Sequence, residues 1–289
     1  MIKYLIPALL YVSPLASGAL IVVDYSYASP LYQYVPGSAG RAAIDRAAAE
    51  LNAVLVNHQL AAIPTQAVSG TASWNNGEFD LVSTISLSAS YLVRNPVSVS
   101  DYARLATETF AANEIRIYVG SSPMPFSNYA IGSSAVVGIT QFGAGYVPSW
   151  SAALSMAEAN ANALFGRGNQ VIARAWNGSM PYGNIPGNFT VNFAPTAASV
   201  SFNAYEYWHA DANTPVGEGE YDLYSVALQE MLRSLGVNPS EQLLRGQRAG
   251  LTTADLAALQ ANGWTVVPEP SFLMLSVLSL PLLARRKRP

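Results

Sequence analysis

The sequence predicts an α+β fold, a small mixed sheet flanked by about three helices. Three observations carry this. Apolar residues alternate from Phe79 to Val93 and from Ile115 to Val119, the period of a half-buried strand. They recur at spacings of three and four within Arg41–Leu60 and again from Leu228 to Leu235, the period of a helix. No linker and no internal repeat divides the middle of the chain. A hydrophobic fraction of 51% against 11% charged residues rules out disorder through excess charge and leaves ample material for one core.

The elements follow in order. After an entry rich in Pro and Gly (Pro30, Pro36, Gly37, Gly40), Arg41–Leu60 reads as a helix whose apolar stripe is Ile44, Ala47, Leu51, Val54 and Leu55. His58, near its end, reads as a helix-terminal or surface residue. The odd-numbered positions Phe79, Leu81, Ile85, Leu87, Tyr91 and Val93 define a strand or hairpin. Ile115, Ile117 and Val119 alternate with Arg116 and Tyr118 in the next strand, which Gly120 and Pro123 are expected to terminate. The Gly/Ser/Ala stretch from Gly132 to Trp150 is expected to be loop. Ser151–Phe165 reads as a short, weakly amphipathic helix stopped by Gly166 and Gly168, and Phe189–Phe193 and Val200–Phe202 as short strands. Asp222 is expected to cap a helix with Ser225 in its first turn and Leu228, Met231, Leu232 and Leu235 on its apolar face. Gly236 ends that helix and Pro239 prevents its resumption.

Charge and composition narrow the chemistry. Five of the 15 basic residues lie at the ends (Lys3, Arg285, Arg286, Lys287, Arg288), and one of the 18 acidic residues, Glu269, does too. Residues 20–267 therefore hold ten Arg against 17 carboxylates, a net charge of −7. An acidic body with no basic stripe argues against a nucleic-acid partner. Zero Cys excludes disulfides and thiolate ligands, and two His exclude any site that needs three imidazoles. No phosphate-binding loop and no G-x-S-x-G elbow is present. Glu218, Glu220 and Asp222 read as solvated acids or a weak calcium site rather than a glycosidase pair.

Both ends read as processing signals. Residues 1–19 have Lys3, an apolar run from Tyr4 to Val12, and the small residues Ser17, Gly18 and Ala19 that a signal peptidase requires, so export is expected. Residues 268–289 hold the triplet Pro268, Glu269, Pro270, then an apolar run from Phe272 to Ala284, then Arg285, Arg286, Lys287 and Arg288. A run of that length spans about 20 Å as a helix, short of the ~30 Å hydrocarbon core, and the cation cluster is expected to stay cytoplasmic, leaving the body on the far side. Triplet, short span and basic end closely resemble the PEP-CTERM sorting tail of Gram-negative bacteria. That resemblance implies an exosortase as partner, transient anchoring in the inner membrane through this tail, and a final place at the cell surface or in an extracellular matrix, with polysaccharide or matrix as a candidate contact.

The segment from Ser199 to Gly236 resembles the active-site helix of the metzincin zinc proteases, in particular matrixin-like domains joined to such tails. The family pattern is H-E-x-x-H-x-x-G with a further ligand beyond the Gly; the His residues bind zinc and the Glu polarises the metal-bound water. Glu230 matches the general base and Gly236 the turn glycine. Gln229 and Arg233 stand at the two helical ligand positions and Pro239 at the third, so every ligand is lost. Further likenesses are residues 41–55, Ser73 and Trp74, 113–120, Phe202–His209 and Leu251–Trp264, so the resemblance spans most of residues 20–267. It implies a metzincin-like extracytoplasmic domain.

The substitutions imply inactivity. Arg has no lone pair, and its fixed charge about 4 Å from a dication costs about 8 kcal/mol even at an effective dielectric near 20. A structural zinc site binds with roughly 10–16 kcal/mol, much of which that repulsion cancels. His209, even with Asp211, does not replace three ligands. Arg233 is instead expected to pair with Glu230 or Glu206. The expectation is a pseudoenzyme with no cofactor; the alternative is an active metalloendopeptidase with an unorthodox zinc site.

Overall fold

The computed structural model describes residues 20–27, 37–56, 60–64, 67–75, 77, 79–105, 109–125, 129–145, 147–168, 171–172, 174–181, 187–239 and 243–266. The expected export signal at residues 1–19, His58, the triplet Pro268, Glu269 and Pro270, and the cations Arg285, Arg286, Lys287 and Arg288 lie outside these residues.

The fold is a mixture of helices and several sheets. In chain order the elements are β1 (Leu20–Asp24), α1 (Gly37–Val54), β2 (Ala67–Asn75), β3 (Asp80–Arg94), β4 (Tyr102–Leu105), β5 (Glu114–Ser122), β6 (Ala130–Ser134) and β7 (Val136–Ala144). They continue with α2 (Val147–Phe165), β8 (Arg174–Ser179), β9 (Asn188–Phe193), β10 (Ala197–Asn203), β11 (Trp208–His209), β12 (Tyr221–Asp222), α3 (Leu223–Ser234) and α4 (Thr253–Ala261). Four helices are described, against an expectation of about three. None of the described helices is long and apolar enough to cross a membrane.

A mixed four-stranded sheet in the order β1-β5-β10-β6 forms the centre. Its first three strands are parallel, and β6 runs antiparallel along the edge. Such a sheet must be covered on both faces. On one face Ile115, Ile117 and Val119 of β5 join Ile44, Ala47 and Leu51 of α1 and Val226, Ala227 and Met231 of α3 in the larger core. Tyr118 turns to the other face and joins a second core. The alternation that predicted β5 is therefore a division between two apolar environments, and the strand runs through Gly120 as far as Ser122.

The second core lies beneath an antiparallel sheet in which β3 is central, paired with β2 on one side and β7 on the other. From Ser83 to Val93 every odd position of β3 is buried. Ile85, Leu87, Tyr91 and Val93 pack with Ala153, Ala157, Ala161 and Phe165 of α2 and with Val191 and Phe193 of β9. Each such aliphatic or aromatic side chain contributes roughly 1.5–3 kcal/mol on burial. Residues 79–93 thus form one long strand, except that Phe79 precedes it and is 67% exposed.

Gly132–Trp150 is not loop. It holds the end of β6, all of β7 and the start of α2. Its Gly, Ser and Ala residues have weak strand preference, and the pairing partners β10 and β3, remote in sequence, supply the structure.

Candidate functional site

Helix α3 follows the expected plan. The Asp222 carboxylate accepts from the Ser225 N–H at 3.0 Å and from its hydroxyl at 2.6 Å, capping the first turn. Leu228, Met231, Leu232 and Leu235 are all buried. Gly236 turns the chain with φ of +85°, a conformation open to glycine without strain, and Val237 N–H then donates back to Leu232 O at 3.0 Å.

Glu230 lies against the edge strand. It has no solvent exposure. Gly132 N–H donates to its Oε2 at 2.5 Å, and Arg233 Nη1 donates to its Oε1. A Cβ at position 132 would lie 2.3 Å from the Glu230 carbonyl oxygen, so only glycine lets β6 come this close to α3. Burial raises the Glu230 carboxyl above its ordinary range, and the Arg233 charge with the two hydrogen bonds draws it back. Both Glu230 carboxylate oxygens are thereby engaged by protein groups.

Gln229, Arg233 and Pro239, where the resemblance leads one to expect metal ligands, face different surroundings. Gln229 is 6% exposed and lines a small cavity with Ser225, Thr252 and Asp255. Arg233 is half-buried and reaches across one helical turn to Glu230. Pro239 is half-buried in irregular chain beyond Gly236. Of the two partners expected for Arg233, the structure selects Glu230. Glu206 is taken by Arg245, whose Nη2 lies 2.5 Å from its Oε2.

His209 and the nearby acids form a second polar group. His209 Nδ1 is 3.0 Å from Glu220 Oε2, and its Nε2 is 2.8 Å from the Asp211 carbonyl and 3.2 Å from that of Thr214. Arg248 closes the same loop, donating through Nε to Asp222 Oδ1 at 3.0 Å and through its terminal nitrogens to the Ala212 and Asp211 carbonyls. Asp211 itself is held below the usual carboxylate range, first by the Asn213 backbone N–H. Glu220 and Asp222 are therefore partners of His209 and Arg248 rather than a free carboxylate pair. Among the described residues, no group of three or more His, Asp or Glu could hold a metal ion.

Sequence reasoning found the helix, its cap and the Glu230–Arg233 pair. It missed Gly132, Arg245 and Arg248, which lie 98, 39 and 26 residues from the carboxylates they engage. No local spacing signals contacts of that range. The chain matches no known protein family, no curated protein and no solved structure.

Proposed function

We propose that the protein is exported, sorted by an exosortase through its C-terminal tail, and acts without catalysis at the cell surface or in extracellular matrix through a degenerate metzincin-like domain. The observation that carries the reading is the state of Glu230. A general base must reach a water molecule, and this carboxylate is fully buried between a guanidinium and a backbone N–H. The order of elements adds support: a long first helix, a central strand at 114–122, the aromatic turn after β10, a capped helix closed by Gly236, and a last helix at 253–261. That last helix begins with a reciprocal cap between Thr252 and Asp255.

Zinc calorimetry tests the inactive site. The full-length chain should show no one-to-one zinc binding and no proteolysis of an unfolded protein substrate. Replacing Gln229 and Arg233 together by His sets two imidazoles four residues apart beside Glu230 and should raise zinc affinity measurably. Tight binding by the natural chain, with proteolysis abolished by Glu230→Ala, would restore the metalloendopeptidase reading.

The sorting half has its own test. Deleting residues 268–289 should release the body as a folded protein into the periplasm or medium, because the triplet, short apolar run and cations all lie in that segment. Equal membrane retention of truncated and full-length chains would show that something else anchors the protein.

A further inference from the structure

The outward face of the β2–β3–β7 sheet has a composition unlike a plain solvated face. By register, Ser86 lies between Ser69 and Phe142, and Thr84 between Thr71 and Ala144. Ser88 lies opposite Thr140. The hydroxyls of Ser69 and Ser86 are 2.9 Å apart and those of Thr71 and Thr84 3.4 Å apart, so the rungs are tied across the strands. Phe142 stands beside them 70% exposed. Neither β2 nor β7 contains a charged residue, and β3 has charges only at its two ends, Asp80 and Arg94; the sheet's fourth strand, β4, sets Arg104 opposite Leu92 near the Arg94 end. Sheet surfaces left to water ordinarily carry charges, which hydrate them and discourage association.

Size and charge decide what fits. β2 and β7 flank β3 together over Thr84–Ser88, and at about 4.8 Å between strands and about 3.4 Å per residue that shared strip is roughly 250 Å². That is about a third of what each partner contributes to a stable protein interface, so a second folded chain is a poor match. The body carries a net charge of −7, which disfavours polyanions. What remains is a narrow, uncharged polymer able both to give and to accept hydrogen bonds and to lay a C–H face on an aromatic ring.

We infer that this face binds a neutral linear polysaccharide, with Phe142 as the stacking platform and the serine and threonine rungs as hydrogen-bonding partners. The inference rests on the sheet and is independent of the sorting tail and of the state of Glu230. The hydroxyls exchange donor and acceptor roles freely, so the face suits a repeating chain better than a single small sugar.

The test is co-sedimentation of the full-length chain, held in a polyoxyethylene detergent, with amorphous cellulose, curdlan and an insoluble α-glucan. The chain should be retained by at least one of them, with retention unchanged in about 0.5 M salt. Thr71→Lys with Thr140→Lys, both at exposed edge positions, should weaken retention by about tenfold or more, and so should Phe142→Ala. Circular dichroism melting checks that each variant is folded; should the lysine pair unfold the sheet, Phe142→Ala alone decides. Failure of the natural chain to bind all three glucans overturns the inference, as does equal retention of a folded variant. A dimer in sedimentation velocity that the lysine pair dissolves would also overturn it, by assigning the face to a second copy of the chain.

Discussion

Replacing Arg167 by Met should destabilise the fold by about 3 kcal/mol or more, a large fraction of the 5–15 kcal/mol that holds an ordinary domain. Arg167 is fully buried and its guanidinium meets only backbone carbonyls. Nε donates to Ala61 at 2.6 Å, Nη1 to Glu114 at 2.8 Å and Pro195 at 2.9 Å, and Nη2 to Ala111 at 2.7 Å. One side chain thus ties the loop after α1, the start of β5 and the approach to β10. Burial pushes its pKa down to about 10, yet the group remains charged at neutral pH. Methionine fills much of the volume and takes a donor from four carbonyls; those of Glu114 and Pro195 are buried, and that of Ala111 keeps the Glu114 N–H. Lysine should recover only part of the loss, since an ammonium cannot reach carbonyls spread around a planar fork. Urea denaturation measures both variants; a loss below about 1 kcal/mol would mean that water replaces the guanidinium.

The second large effect is expected at Arg233. Arg233→Met leaves Glu230 in its buried position with only the Gly132 N–H as partner, at a cost of about 2–3 kcal/mol at pH 8; the solvent exposure of Arg233 holds this below the usual loss for a buried pair. The dependence on pH follows from the raised Glu230 pKa. A carboxyl raised in the folded state contributes its full stability below its unfolded value and loses it as pH rises through the folded value. Without Arg233 the raised value climbs further. The variant should therefore nearly match the natural chain close to pH 4 and fall progressively behind toward pH 8. Adding Glu230→Gln removes the titrating group and should flatten that difference. A gap between the two chains that stays constant from pH 4 to pH 8 would show that Glu230 does not carry the effect.

Much of the site's local architecture was legible in the residues. Asp222 before an apolar stripe, Gly236 after it, and Glu230 three residues before Arg233 are short-range relations, and helix geometry turns such relations directly into contacts. The same holds for the odd positions of β3, whose burial follows from the pleat once a core lies on one side. Tertiary structure decided the rest. Residues 132–150 read as loop because Gly, Ser and Ala encode little by themselves; they become β6 and β7 because β10 and β3 offer free backbone groups. That Gly132 should cap Glu230, that Arg245 should take Glu206, and that Arg167 should be buried among carbonyls all depend on segments 28 to 106 residues apart. The period of a pattern shows which face of an element is apolar. Which partner meets that face, and which polar group is left to be satisfied there, is settled only when the whole chain packs and every buried donor and acceptor must find its match.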